Sequence, residues 1–262
     1  MDRDARERQV RALDDERGAL GLSGFRVVEV GGADAGPWLH DLVTAAVEGL
    51  EPGTAVRSLL LGPTGRIRAD LHVLRVDEGF LLVQALDQPR AIQDLLAPYV
   101  LSSEVALREV ALPALVAVPR TGSWGFTGAD AAGLERVEPE TVEAWRIRRG
   151  IARFPIDLDE DSLPAEAGLD DEVTIDHTKG CYLGQEAVAK VRNFGHPTRV
   201  VLMLSADRPV EANRPVLAGD LETGLLTSVD TSGDAVSALA RVRWGAREAD
   251  LRTADGVRLR RR

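Results

Sequence analysis

A short segment around residue 181 holds the side chains best suited to covalent or redox chemistry. It contains the only cysteine of the chain, Cys181, which follows Lys179 by two residues and His177 by four. The stretch QEAVAKV after it predicts a helix, whose N-terminal dipole, together with Lys179, would favour the thiolate. We therefore predict that Cys181 is reactive and that Lys179 tunes it. The alternative is a buried, inert cysteine.

Lysine is rare in this chain, and both lysines lie close to the cysteine. Of 32 basic residues only Lys179 and Lys190 are lysines, so the other 30 are arginines. A compact, titratable ammonium has properties that a planar guanidinium lacks. We therefore expect Lys179 to have a role that arginine cannot fill, with chance placement as the alternative.

Several common site motifs are absent from the sequence. It has no G-x-x-x-x-G-K-[ST] loop, no G-x-G-x-x-G after a strand, no H-E-x-x-H and no G-x-S-x-G. The four histidines lack metal-ligand spacing, and a single cysteine forms no internal disulfide and no four-thiolate site. The sequence therefore predicts no metal site of its own.

Composition limits the partners. The 262 residues carry a formal net charge of −10, with 44% hydrophobic and 4% aromatic residues. Such an acidic balance argues against general binding to nucleic acid or to an anionic membrane. The N-terminus is highly charged, and no apolar run is long enough to span a bilayer. We predict a cytoplasmic protein.

The elements of the first hundred residues mix helices with short strands. After the strand FRVVEV, Asp34 is a plausible N-cap for an amphipathic helix whose apolar stripe runs from Trp38 to Leu50. The stretches AVRSLLL, RIRADLHVLRV and FLLVQA then predict a three-stranded antiparallel meander. A second helix and two strands follow without a regular βαβ rhythm, so we predict an α+β fold.

The second half changes character twice. A short helix is predicted over 140–150, ending at Gly150, and the stretch 157–176 then holds nine acidic residues and no Lys or Arg. That stretch is typical of a solvated loop. From Thr198 onwards, short β-type runs separated by turns predict a small β-barrel.

The segment Lys179–Glu186, KGCYLGQE, matches the K-G-C-[FY]-x-G-Q-E signature at all eight positions. It resembles the YgfZ family of folate-binding proteins, whose relatives support iron–sulfur cluster assembly. The stretches VVEVGGADAGPWLHDLVT, GPTGRIRADLHVLRV and WRIRRGIARFPID are similar to the folate-binding domains of the glycine-cleavage T-protein, an aminomethyltransferase. The resemblance implies mixed and antiparallel sheets with helices around a central channel. Together with the charged N-terminus, it predicts three parts: a charged segment over 1–20, a folate-binding region of two interleaved α+β subdomains over 21–197, and a C-terminal barrel over 198–262.

The resemblance also implies site residues. Cys181 stands where the aminomethyltransferases have an acidic residue, and Asp70 stands where they have their catalytic aspartate. Arg148 replaces a glutamate that holds their pterin ring, which puts aminomethyl transfer in doubt. Cys181, Lys179 and Asp70 are the predicted reactive residues. The predicted folate contacts are Asp70, Trp145, Arg148, Tyr182, Gln185 and Glu186.

The leading hypothesis is a tetrahydrofolate-binding protein that aids assembly or repair of iron–sulfur clusters in client enzymes through Cys181. Its partners would be folate, in tetrahydrofolate or one-carbon form, and client or assembly proteins. One alternative is a folate-dependent aminomethyltransferase or demethylase with Asp70 as acid–base residue. The other is an interaction scaffold whose acidic loop docks a basic partner. The arginines near residue 148 could serve either the anionic folate tail or salt bridges to the acidic run.

Overall fold

The structure is a computed structural model that describes residues 3–112 and 114–262. It contains a five-stranded sheet, a four-stranded sheet and a closed six-stranded barrel, with helices between them. This arrangement confirms the predicted α+β class with a C-terminal barrel. In the described residues, every helix is too short or too polar to cross a membrane.

The elements that precede the acidic run alternate between helices and short strands. They are helix α1, Arg3–Asp14; strand β1, Gly18–Gly21; β2, Phe25–Gly31; α2, Ala35–Leu42; β3, Ala55–Leu61; β4, Ile67–Val76; β5, Gly79–Ala85; α3, Ile92–Leu96; β6, Ala106–Glu109; β7, Leu115–Val118; β8, Gly125–Gly128; β9, Glu135–Arg136; and α4, Pro139–Arg148.

The elements that follow the acidic run are one helix and six strands. They are α5, Gln185–Phe194; β10, Arg199–Ala206; β11, Pro215–Ala218; β12, Leu221–Asp230; β13, Val236–Arg243; β14, Leu251–Thr253; and β15, Arg258–Arg261.

The five-stranded sheet has the order β3-β4-β5-β2-β6, and β3, β4 and β5 form the predicted meander. Along β4, Ala69, Leu71 and Val73 are fully or almost fully buried against α2 and α3. Because side chains alternate along a strand, Asp70 and His72 lie on the opposite face. One face of this sheet therefore builds the largest apolar cluster, whereas the other carries Asp70 and His72 beside a second apolar cluster that includes Leu74 and Val83.

The helix predicted from the apolar stripe Trp38–Leu50 is shorter than the stripe suggested. Helix α2 ends at Leu42, and the next residue, Val43, is extended and bridges to Leu60 on β3. The Thr44 hydroxyl accepts a hydrogen bond from the backbone N–H of Leu59 and donates to the carbonyl of Thr174. These tertiary bonds replace the next helical turn, so the apolar residues beyond Leu42 are buried in an extended segment.

The four-stranded sheet, β8-β7-β1-β9, combines strands that are far apart in the chain. Strand β1 precedes the strands of the five-stranded sheet, and β7, β8 and β9 follow them. Helix α1 packs against α4 beside it, where Leu13 and Trp145 share an apolar cluster. The Trp145 Nε1–H also donates to the Asp14 carboxylate at 2.8 Å. The charged stretch at 1–20 is therefore largely helical and docked, apart from residues 1 and 2, which lie outside the described residues.

The C-terminal strands close in the order β10-β13-β12-β11-β14-β15 around an apolar interior. Between α4 and α5 the chain is largely irregular, with one short 3₁₀ turn at Pro164–Ala167. Its buried side chains, among them Phe154 and Tyr182, pack against Leu59 and Leu61 of β3. This irregular segment therefore joins the first sheet to α5.

Candidate functional site

A cavity of about 430 Å³ lies on the face of the five-stranded sheet that carries Asp70 and His72. Arg57, Asp70 and His72 contribute to its wall from β3 and β4, and segments from α4 and from 151–154 close the opposite side. Its volume is within the range of small-molecule sites, which are about 300–1,000 Å³. This cavity is the first part of the candidate site.

Arg57 and Asp70 form a bidentate ion pair in the cavity wall. The Arg57 Nε and Nη2 donate to the two Asp70 carboxylate oxygens at 3.0 and 2.6 Å, and Nη2 also donates to the Ala152 carbonyl at 3.1 Å. Both side chains are about 10% exposed. A pair with this geometry is stabilised by charge and by its fixed fork, so it holds the wall rigid. It also occupies both oxygens that Asp70 would use as a proton acceptor.

Aromatic rings make up the neighbouring part of the wall. His72 stacks on Trp124 with ring centroids 4.7 Å apart and 19° between the planes, and Phe25 meets Trp124 edge-on at 5.6 Å. Burial, together with the charge of Arg57, lowers the pKa of His72 to about 3. At neutral pH this wall therefore presents flat, uncharged rings.

Charged residues are gathered at another part of the cavity. Arg153 lines it and donates from Nη1 to Asp87 at 3.0 Å, and its Nε lies 3.7 Å from Glu143. Arg120 lines it as well and is about half exposed, paired with Glu16. Partly exposed cations next to an apolar slot can bind an anionic group on a ligand.

The segment that carries Cys181 is fixed at its start by Lys179. The Nζ of Lys179 donates to the carbonyls of His40, Val43 and Ala45, at the end of α2 and in the loop after it. An ammonium has three donors and can meet three converging carbonyls, which a planar guanidinium cannot do in the same way. Burial lowers the pKa of Lys179 to about 8. The expected special role of Lys179 is thus an anchoring contact between two segments.

A turn stabilised by Asp176 leads into this anchor. Its carboxylate accepts hydrogen bonds from the Thr178 hydroxyl and backbone N–H, both at 2.7 Å, and from the Lys179 N–H at 3.0 Å. The Thr178 hydrogen bonds lower the pKa of Asp176. The turn therefore sets the direction in which the chain approaches Cys181.

The far side of the segment is held by Tyr182 and Gly184. Tyr182 is 6% exposed, and burial raises its pKa to about 12. Gly184 has a φ of +84°, and a Cβ there would lie 2.5 Å from the Gly62 carbonyl oxygen. This close approach packs the start of α5 against the β3–β4 turn and requires glycine.

Cys181 is exposed, between the two anchored ends of its segment. It does not belong to the described lining of the cavity, and neither does Lys179. The cysteine therefore lies on the surface, whereas the cavity wall includes buried side chains such as Arg57 and His72. The hydrogen bonds of the Lys179 ammonium described above go to carbonyls and not to the thiol. An effect of Lys179 on the reactivity of Cys181 therefore remains a prediction.

The other predicted contacts are divided between the cavity and the rest of the fold. Asp70 and Trp145 line the cavity, whereas Tyr182, Gln185 and Glu186 are absent from its described lining. Arg148 is also absent from that lining and instead pairs with Asp230 of the barrel at 2.6 Å. The roles of all six residues in folate binding remain predictions. Of the six, Asp70 and Trp145 are the ones placed to touch a ligand in this cavity.

The arginines near residue 148 mostly form ion pairs away from the acidic run. Only Arg146 pairs with that run, through the fully buried Asp157 at 2.6 Å. Arg149 pairs with Asp14 at 2.5 Å, and Arg153 pairs with Asp87 at 2.8 Å. Of the two uses left open by the sequence, salt bridges occur, but with several different partners.

The cavity-wall residues that sequence reasoning missed include Arg57, His72 and Trp124. The alternation of side chains along β4 places Asp70 and His72 on one face, so the sequence pattern could have predicted that His72 lies beside Asp70. Arg57 lies directly opposite His72 in the strand register, which depends on the hairpin pairing. Trp124 reaches the cavity from a loop far along the chain, and no local signal predicts that contact.

Comparison with known proteins gives a consistent result. The family described as "GCVT N-terminal domain" matches residues 2–112. An aminomethyltransferase from Alcanivorax borkumensis is 23% identical over 90% of this chain and 80% of its own length. A mitochondrial iron–sulfur cluster assembly factor IBA57 homologue from Pyricularia oryzae is 27% identical. That alignment covers 68% of this chain and 54%, little more than half, of the relative.

The fold also has a close counterpart among solved structures. The aminomethyltransferase T of the glycine cleavage system from Bartonella henselae superposes with a TM-score of 0.78, covering 97% of this chain and 87% of that one. At 18% sequence identity this similarity establishes the shared fold and nothing finer.

Proposed function

We propose, on the premise that this chain belongs to the YgfZ family related to the glycine-cleavage T-protein, that it binds a tetrahydrofolate and supports iron–sulfur cluster assembly or repair. Folate would occupy the cavity. Cys181 would act on the outer surface as a thiolate ligand for a cluster in transit. The remaining ligands would come from client or assembly proteins, because the chain has one cysteine.

The cavity fits a reduced folate in its chemistry. The pterin is flat and needs an apolar slot with a few polar partners, and Phe25, Trp124 and His72 supply such a wall. Buried His72 Nδ1 lacks a hydrogen-bond partner in the described part of the chain, so a polar group of a ligand would relieve it. Arg153 and Arg120 could pair with the anionic tail.

The observation that carries the cluster role is the presentation of Cys181. An ordinary lone cysteine is buried and behaves as a small hydrophobe. This one is exposed, and its segment is fixed by Lys179 before it and by Gly184 after it. A thiol held outwards in a defined place is suited to a partner protein's cluster and not to packing.

Replacing Cys181 tests the cluster role. In cells that lack the native gene, we expect Cys181→Ala and Cys181→Ser to leave cluster-dependent enzymes as inactive as the deletion does. The matched control is Gly180→Ala, a neighbouring exposed position where an added methyl meets nothing within 4 Å. The proposal requires the control to restore activity and both cysteine variants to bind tetrahydrofolate like the unmodified protein. Full enzyme activity in Cys181→Ala cells would contradict it.

An anaerobic calorimetric titration with tetrahydrofolate tests the other half of the proposal. We expect saturable binding at one site. A substitution that fills the slot, Ala152→Trp, should abolish it, because Ala152 lines the cavity and is 4% exposed. A lack of binding to the unmodified protein would overturn the folate assignment.

The enzymatic alternative has one observation in its favour, since Asp70 lines the cavity. However, Arg57 takes both carboxylate oxygens of Asp70. The scaffold alternative needs free charge in the acidic run, and part of that charge is neutralised because Asp157, Asp159, Glu160 and Glu166 have arginine partners within the chain. Folate-supported cluster assembly therefore remains the function that these contacts support best.

A further inference from the structure

His72 is a buried imidazole whose polarity has no evident use in the fold. The residue is 9% exposed, and its Nδ1 has no hydrogen-bond partner among the described residues. An unpaired buried nitrogen is destabilising, and such groups in native proteins call for an explanation. A phenylalanine would stack on Trp124 equally well without that penalty, so packing alone does not account for the histidine.

The surroundings of His72 keep its ring uncharged. In the strand register it lies directly opposite Arg57, whose guanidinium faces the same cavity. Burial and this like charge lower the pKa of His72 to about 3. The negative charge of nearby Asp70 raises this pKa, but it is a smaller effect than burial and the charge of Arg57. A neutral imidazole offers one hydrogen-bond donor and one acceptor.

The polar side chains beside His72 on the strands of this wall already have partners. Gln88 bonds the backbone of Asp70 twice, donating to its carbonyl at 2.6 Å and accepting from its N–H at 3.1 Å. Arg57 is shared between Asp70 and the Ala152 carbonyl. Among the described residues, His72 and Arg153 are thus the lining residues with a buried polar atom that lacks a hydrogen-bond partner, and His72 is the neutral one of the two and the one stacked on Trp124.

We propose that His72 is a specificity-determining residue of the cavity, forming a neutral hydrogen bond with a ring nitrogen or amino group of a flat heteroaromatic ligand beside Trp124. This inference rests on the proposed folate function and names the contact that selects the heterocycle. A purely hydrocarbon ring system would leave the imidazole unpaired and would bind less tightly.

The test compares the affinity of two matched variants for tetrahydrofolate. His72→Phe keeps the stacked ring and removes both nitrogens, and we expect it to bind roughly 3- to 30-fold more weakly. It should also unfold at a urea concentration at least as high as the unmodified protein does. If His72 served the fold alone, His72→Phe would lower the free energy of unfolding and leave the affinity for tetrahydrofolate unchanged. Measuring both quantities therefore distinguishes a role in ligand binding from a role in folding.

The control is His196→Phe, which makes the same change in a second His–Trp stack. His196 lies 4.8 Å from Trp244 at an interplanar angle of 8° and is outside the described lining of the cavity, so its affinity should not change. If His72→Phe fails to fold, His72→Gln keeps polar atoms there and should bind more tightly than His72→Leu. Equal affinity of His72→Phe and the unmodified protein would overturn this inference alone. An unmodified protein that fails to bind tetrahydrofolate would overturn the proposed function as well.

Discussion

The cavity and the Cys181 segment use buried polar groups in opposite ways. In the segment, each donor of the Lys179 ammonium has a carbonyl partner, and the thiol beyond it is exposed. In the cavity, Arg57 and Asp70 satisfy each other, but His72 Nδ1 has no hydrogen-bond partner in residues 3–112 and 114–262. Complete pairing fixes a loop in one conformation, whereas an unpaired group favours binding of a complementary ligand. One region therefore holds an exposed side chain in place, and the other keeps a polar atom available in a cavity wall.

The largest expected effect comes from breaking the anchoring of the segment at Gly184. Gly184→Ala puts a Cβ 2.5 Å from the Gly62 carbonyl oxygen at a φ of +84°. We expect the free energy of unfolding to fall by about 3–5 kcal/mol, from backbone strain and overpacking together. Urea denaturation measures it. Gly180→Ala is the matched control and should change stability by less than about 0.5 kcal/mol; similar losses in both variants would show that Gly184 is not a required close approach.

Removal of the lysine anchor should have a smaller effect. Lys179→Met keeps an unbranched apolar side chain, one heavy atom shorter, but leaves three carbonyls without their shared donor. We expect a loss of about 2–3 kcal/mol in the free energy of unfolding and faster proteolysis within 176–184. Lys190→Met, at an exposed position of α5, is the control. If both variants lose the same stability, Lys179 does not anchor the segment.

The smallest expected effect concerns the cavity and its dependence on pH. The pKa of His72 is about 3 in the folded protein against 6.5 for an ordinary histidine, so between these values the unfolded chain binds more protons. Stability contributed by the neutral ring is complete above pH 6.5 and is lost as the pH falls towards 3. Between pH 7 and pH 5, the free energy of unfolding should therefore fall by about 2 kcal/mol less in His72→Phe than in the unmodified protein.

Urea midpoints of the unmodified protein and of His72→Phe at pH 5, 6 and 7 measure this difference. His72→Gln, which also lacks a titrating ring, should show the same flatter profile. Parallel profiles for all three proteins would mean that His72 is readily protonated in the folded state, and the cavity would then not be a neutral wall.

Local pattern predicted much of the fold. The meander of β3 to β5 followed from alternating apolar residues and turn signals, and the helix at Pro139–Arg148 followed from composition and a terminal glycine. Helix α2 was predicted too long because Val43 and Thr44 bond to β3, a contact that periodicity cannot represent. Within the site, the motif around Cys181 was visible in the sequence, but the cavity was not, because Trp124 and Arg57 reach it from separate elements.

The sequence by itself determined the class of fold, the resemblance carried by eight consecutive residues, and the special position of Lys179 and Cys181. These depend on residue type and local order, which a linear pattern records. Only the tertiary structure decided that Lys179 binds carbonyls after α2, that Asp70 is paired with Arg57, and that the buried His72 Nδ1 finds no partner among the residues that the structure describes. Those facts depend on which groups meet across the fold, and hydrogen bonding, burial and charge act through that proximity.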